Sequence, residues 1–191
     1  MTSLLNFVLF QAFWFAAVLG AARGELWWGP AAALVFVVVH LAMVPAALRR
    51  AELGYLAGVT VIGGLLDTML HAFTVTSFPT SSPGTTGAWP PALGLLPPPW
   101  ILSCWLAFAC LPRFSLGWLV GRPRLAIVCG ALGGPLSYLA GVRFGATAIP
   151  GSTAWTAGVL AVEYALLLPL MLALVPRDPS PTAEAPAPAR R

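Results

Sequence analysis

Lysine is absent from this chain of 191 residues, and only 8% of the residues are charged, where a water-soluble domain carries roughly a quarter. Ten arginines and six acids cannot cover a surface that faces water, so a soluble globular domain is excluded. The cations stand in short clusters between apolar runs instead of spreading over one face, which excludes the basic footprint of a nucleic-acid-binding protein. Cysteine is scarce: Cys104, Cys110 and Cys129 all lie inside apolar stretches, where thiols act as small hydrophobes, so no disulfide framework is expected. No HExxH, CxxC or glycine-rich phosphate loop is present, and neither a cofactor nor a metal is expected.

What remains is apolar: 59% of the residues are hydrophobic, and mean hydropathy is +0.86. A hydrocarbon core about 30 Å thick takes about 20 apolar residues per helix. Runs that meet this need lie at 4–22, 26–48, 54–75, 95–111, 125–145 and 154–175. The first lacks a basic flank and outruns the h-region of a signal peptide, so it is expected as a retained helix. The fourth follows Pro97, Pro98 and Pro99, which suit a first helical turn, and Pro112 closes it. The stretch 114–120 is too short to span and is expected as an interfacial turn before Arg122. The expected architecture is all-α: an integral membrane six-helix transmembrane bundle, one domain over 1–175. The uncharged Pro/Gly/Ser/Thr-rich loop at 77–99 is expected as an external cap, and 176–191 as a disordered cytoplasmic tail.

Arginine sets the orientation, because loops rich in Lys and Arg stay cytoplasmic. With the N-terminus inside, 8 arginines are internal and only Arg23 and Arg143 external. That bias requires an even number of spans, with both termini cytoplasmic. The all-arginine cation set, with abundant Ala, Gly, Pro and Trp, points to a GC-rich bacterial genome and hence to a bacterial cytoplasmic (inner) membrane. Small residues let helices approach in lipid. Gly-x-x-x-Gly pairs occur at Gly20/Gly24, Gly54/Gly58, Gly117/Gly121, Gly130/Gly134 and Gly141/Gly145, so the fifth span is expected as the central helix. An echo links Gly63-Gly64-Leu65-Leu66-Asp67 to Gly133-Gly134-Pro135-Leu136-Ser137, as a parallel internal repeat would produce.

Ionisable residues inside a span are costly, which makes them candidates for function. His40, Asp67, His71, Arg143 and Glu163 form this set, with Asn6, Gln11, Ser137 and Tyr138 adding uncharged hydrogen-bonding capacity. At 1.5 Å per residue, Asp67 and Glu163 lie at matched depths, about 12 and 13 Å from the outer ends of their helices. His71 stands one turn from Asp67 on the same face. Three uses compete: charges that cancel and fasten the bundle, a protonatable relay or polar cavity for transport, and a metal-assisted intramembrane enzyme using Asp67, His71 and Glu163. Ser137 is expected to bond within its own helix.

Asn6, Phe10, Gln11, Trp14 and Phe15 in the first span, with the Gly133-to-Gly141 motif ending in Arg143 and Gly145, carry a resemblance. The chain resembles a family of small bacterial inner-membrane proteins known as domain of unknown function 2878, over about residues 4–175. Asp67 falls where that family is expected to carry an acidic residue, whereas the 77–99 loop and the proline-rich tail depart from its pattern. The resemblance implies a multi-pass membrane protein without an assigned activity, and it carries over no catalytic residue. It also implies neighbouring genes for lipid-modifying enzymes, including ones resembling cyclopropane fatty acid synthases. The leading expectation is a non-enzymatic carrier or accessory protein in membrane-lipid or small-molecule handling, with the intramembrane enzyme as the alternative. Expected partners are the lipid bilayer and a lipid or small-molecule ligand, not nucleic acid; a second copy of the chain or another membrane protein stays open.

Overall fold

A computed structural model describes residues 1–78 and 96–177. The cap expected at 77–99 and the tail expected at 176–191 fall mostly outside the described residues. Six helices follow in order: α1 (Thr2–Ala22), α2 (Trp28–Met43), α3 (Arg49–Ala72), α4 (Pro99–Ala109), α5 (Pro123–Phe144) and α6 (Thr153–Leu174). Among the described residues there is no strand, only one isolated bridge between Ser77 and Ala148.

Among the described residues, four helices are long and apolar enough to cross a membrane: α1, α3 with its preceding 3-10 turn from Ala46, α5 and α6. The other two are shorter than the sequence runs suggest. α2 has 16 residues and α4 has 11, or about 24 and about 16 Å of helix. Proline explains both. Pro45 keeps the residue before it out of the helical region, and Val44 is extended at φ −79°, ψ 134°, so α2 stops before the expected residue 48. Pro99 occupies the first turn of α4, as the proline run predicts, and the chain turns repeatedly from Cys110 to Val120. A 3-10 turn at Gly117–Leu119 fills the place expected for an interfacial turn. α3 starts at Arg49, more than a turn before the expected residue 54, and this draws Glu52 into its first turn.

Hydrogen bonds between helix ends fix how the chain alternates. Asn6 at the start of α1 reaches Cys110 after α4, and Arg113 bonds both Glu52 in α3 and the carbonyl of Pro176 beyond α6. At the opposite end Thr156 of α6 bonds the Val75 carbonyl after α3. Residue 1 and residue 177 therefore share one end, together with Arg49, Arg50, Arg113, Arg122, Arg124 and Arg177, while Arg23 and Arg143 lie at the other.

The expectation that the fifth span is central is overturned. α4 sits against α1, α2 and α3, whereas α5 pairs chiefly with α6. The physical reason is composition: α4 buries Trp100, Ile101 and Trp105, while the glycines of α5 form a flat face for one neighbour. A Cβ on Gly130 would overlap the Tyr164 backbone and one on Gly134 the Tyr164 ring; at Gly54, Gly58 and Gly133 it would meet nothing within 4 Å. The outward faces carry large apolar side chains, Leu34, Val35, Leu65, Val162 and Leu166 among them, an exposure that water does not tolerate over such an area.

The ends of α3 and α5 make the same turn, offset by the 71 residues that also separate Asp67 from Tyr138. The N–H of Thr74 reaches the His71 carbonyl at 3.0 Å, and that of Gly145 the Val142 carbonyl at 3.0 Å. Val75 reaches Leu70 at 2.8 Å, as Ala146 reaches Gly141 at 2.9 Å. The residue opening each turn is left-handed, Thr74 at φ 56° and Gly145 at φ 83°; glycine adopts this without strain. The two turns then bond each other, Ser77 and Ala148 exchanging N–H···O bonds of 2.8 and 2.7 Å. Lower down, Gly63 receives the Trp105 ring and Gly134 the Tyr164 ring, and those two rings stack on one another at 5.5 Å. The α3–α4 and α5–α6 hairpins are thus parallel repeats, in a register that pairs Gly63 with Gly134 and not, as the sequence echo has it, with Gly133.

Candidate functional site

The polar centre of the molecule lies between α3, α4 and α5. Asp67 is fully buried on α3, and its carboxylate accepts two bonds: Trp105 of α4 donates its indole N–H to Oδ2 at 2.6 Å, and Tyr138 of α5 donates its hydroxyl to Oδ1. Tyr164 of α6 stacks on Trp105 at an interplanar angle of 19° and meets Tyr138 edge-on. One carboxylate thereby ties together three helices, and a fourth closes over its donors.

A cavity of about 470 Å³ opens beside this centre, within the range of small-molecule sites, about 300–1,000 Å³. It lies between α1, α4 and α5, with Asp67 at its back. α1 and α5 touch only lightly, chiefly where Trp14 and Phe15 meet Phe144 with centroids 6.0 and 6.2 Å apart. On the α5 side Gly133, Ser137 and Gly141 offer little or no side chain to fill the gap. The equivalent positions of the first repeat hold Ile62, Leu66 and Leu70. The cavity therefore lies where the second hairpin carries smaller side chains than the first at the matching positions. Its exposed rim residues, Gln11, Gly133 and Leu136, stand near the middle of α1 and α5, so the mouth faces sideways and not toward either end of the helices.

A second polar cluster, missed by sequence reading, lies at the arginine-rich end. Glu52 is fully buried; His40 of α2 meets its Oε1 at 2.8 Å and Arg113 its Oε2 at 2.5 Å. Arg113 also donates to the Pro176 carbonyl at 2.6 Å, lacing α2, α3, the segment after α4 and the end of α6. From sequence, Arg113 is an orienting loop charge and Glu52 stands outside the spans. The available signal was an acid two residues after Arg50, next to a run already apolar enough to be helical.

The expected constellation does not assemble. His71 turns from Asp67, hydrogen-bonds the Thr76 carbonyl at 3.2 Å and stacks on Phe78. His40 belongs to the other cluster. Arg143 is exposed and makes no ion pair among the described residues. Glu163 is partly buried, and its Oε1 has no hydrogen-bond partner there. Among the described residues no three His, Cys, Asp or Glu side chains converge as a metal site, so Asp67, His71 and Glu163 do not form the ligand set the enzyme alternative required. Of the uncharged residues, Asn6 donates to the Cys110 carbonyl at 3.2 Å and accepts from Ser115. Gln11 lies at the cavity rim, Ser137 bonds the Gly134 carbonyl at 2.8 Å, and Tyr138 is the Asp67 donor. Trp105 was overlooked, because an indole in an apolar run reads as core or interface until its N–H is placed.

A family model described as protein of unknown function (DUF2878) matches residues 3–170. Neither a curated protein nor a solved structure matches the chain significantly.

Proposed function

The chain belongs to the DUF2878 family, and from that premise we propose that it is an integral membrane protein whose lateral cavity holds a lipidic molecule, as a non-enzymatic carrier or accessory protein in membrane-lipid handling. The arginine-rich end faces the cytoplasm, the membrane is a bacterial inner membrane, and all six helices lie within it, the short α4 enclosed by α1, α2 and α3.

The observation that carries this reading is the position of the cavity mouth. A site for a water-borne solute opens toward an aqueous phase, but this rim sits at mid-helix, among side chains that face hydrocarbon. Its walls are mostly apolar, which suits a chain entering from the bilayer. The contrast between Gly133, Ser137, Gly141 and the bulkier Ile62, Leu66, Leu70 supports a built site over a packing accident, since lipid-embedded helices gain from close contact and a void forfeits it.

Gly133→Phe tests the proposal. Gly133 stands at the mouth with nothing within 4 Å of a Cβ, so a side chain can start there without a clash and carry a ring across the opening. Mass spectrometry of purified protein is expected to find a lipid retained through detergent washing by the parent chain and lost from the variant at unchanged thermal stability. Equal retention by both proteins refutes the reading.

A further inference from the structure

The cavity is also selective, and this step rests on the lipid-binding reading above. We infer that its occupant is a lipid with an uncharged hydroxyl or ester head, one chain of which fills the cavity, and that phosphate-bearing lipids are rejected. The head lies at the Trp100 and Thr147 end and the chain runs toward Leu116 and Leu168.

Charge supports this choice of occupant. Among the described residues the lining contains no arginine or histidine, and its one carboxylic acid is Asp67. Both oxygens of that carboxylate are already held by protein donors. A phosphate entering here sheds water with no cation to compensate it and approaches a carboxylate; an ion desolvated without a partner is strongly disfavoured. Arg23 and Arg143 stand at the same end of the helices but outside the lining.

An unmet donor places the head. Trp100 lines the cavity, is 2% exposed, and its indole N–H has no hydrogen-bond partner among the described residues. An enclosed N–H without an acceptor is costly, and an indole can only donate, so an acceptor oxygen such as a hydroxyl or an ester carbonyl is the group that would satisfy it, once the ring turns its N–H toward the cavity. Thr147, in the same wall, donates its own hydroxyl to the Tyr138 carbonyl at 3.4 Å. Its lone pairs stay free to accept from a hydroxyl head. At the other end, Phe108, Leu111, Leu116 and Leu168 offer only hydrocarbon.

The test uses two ligands that differ by one phosphate, 1-oleoylglycerol and 1-oleoylglycerol 3-phosphate, titrated into delipidated full-length protein in uncharged detergent. The proposal expects 1-oleoylglycerol to bind at least tenfold more tightly. Trp100→Phe, which removes the N–H and keeps an aromatic ring, is expected to weaken 1-oleoylglycerol about fivefold, the loss of one neutral hydrogen bond, and to leave the phosphate form unchanged. Equal or tighter binding of the phosphate form to the parent chain, abolished by Gly133→Phe, overturns the selectivity and leaves lipid binding standing. Binding of neither ligand, or binding indifferent to Gly133→Phe, overturns the lipid-binding reading itself.

Discussion

Replacing Glu52 by Gln keeps the shape of the side chain and removes the negative charge from a cluster of three side chains. Glu52 is fully buried, and its two oxygens are divided between His40 at 2.8 Å and Arg113 at 2.5 Å. Removing one partner of a buried ion pair costs about 3–5 kcal/mol, because the other charge is left uncompensated. Here the expectation is about 3 kcal/mol, at the low end, for two structural reasons: Arg113 is 13% exposed, and it retains the Pro176 carbonyl at 2.6 Å. Unfolding by sodium dodecyl sulfate in mixed micelles, followed by tryptophan fluorescence, reads the change. The double variant Glu52→Gln/Arg113→Met removes both charges and is expected to lose less than the sum of the single variants, with a coupling of about 1.5 kcal/mol or more. A single-variant loss under about 0.5 kcal/mol, or additive losses, would refute the argument that this cluster fastens α2, α3 and α6 at the arginine-rich end.

Other expectations follow from the same geometry. Asp67→Leu strands the Trp105 and Tyr138 donors at about 1–3 kcal/mol each, whereas Asp67→Asn, still an acceptor, loses less than half as much; the same unfolding titration ranks them, and equal losses contradict the two-donor account. Gly130→Ala drives a Cβ into the Tyr164 backbone and is expected to cost about 1–3 kcal/mol as overpacking. Gly54→Ala, facing open space, is expected to be neutral or stabilising by up to about 1 kcal/mol. Arg143→Ala, at an exposed position without an ion pair among the described residues, is expected to leave both stability and lipid retention unchanged.

Hydropathy and proline made much of the fold legible beforehand. Six apolar segments became six helices, Pro99 opened α4 where a first-turn proline belongs, and the turn before Arg122 appeared at Gly117–Leu119. Ends set by local backbone chemistry were harder to read. The run through Val44 and Pro45 stays apolar, so hydropathy passes over the break that proline imposes. The candidate site was legible in its residues and not in their pairing. Asp67 and Tyr138 were both singled out, but His71 one turn away looked the natural partner, and only tertiary packing brings in Trp105 and Tyr138. Side-chain identity also hid the repeat, because Asp67 and Tyr138, or Thr74 and Gly145, are equivalent in backbone and place while differing in chemistry. Glu52 escaped notice because its burial depends on where α3 begins.

A photoactivatable acyl chain, with a diazirine at its middle, tests the lateral lipid site most directly when cross-linked to the protein in native membranes and mapped by peptide sequencing. The account predicts adducts concentrated on the facing walls of the cavity, around Gln11 and Trp14 of α1 and Leu136 and Ser137 of α5, and abolished by Gly133→Phe. Adducts confined to the outward faces, at Leu34, Val35 or Leu166, with the cavity walls untouched, would contradict it.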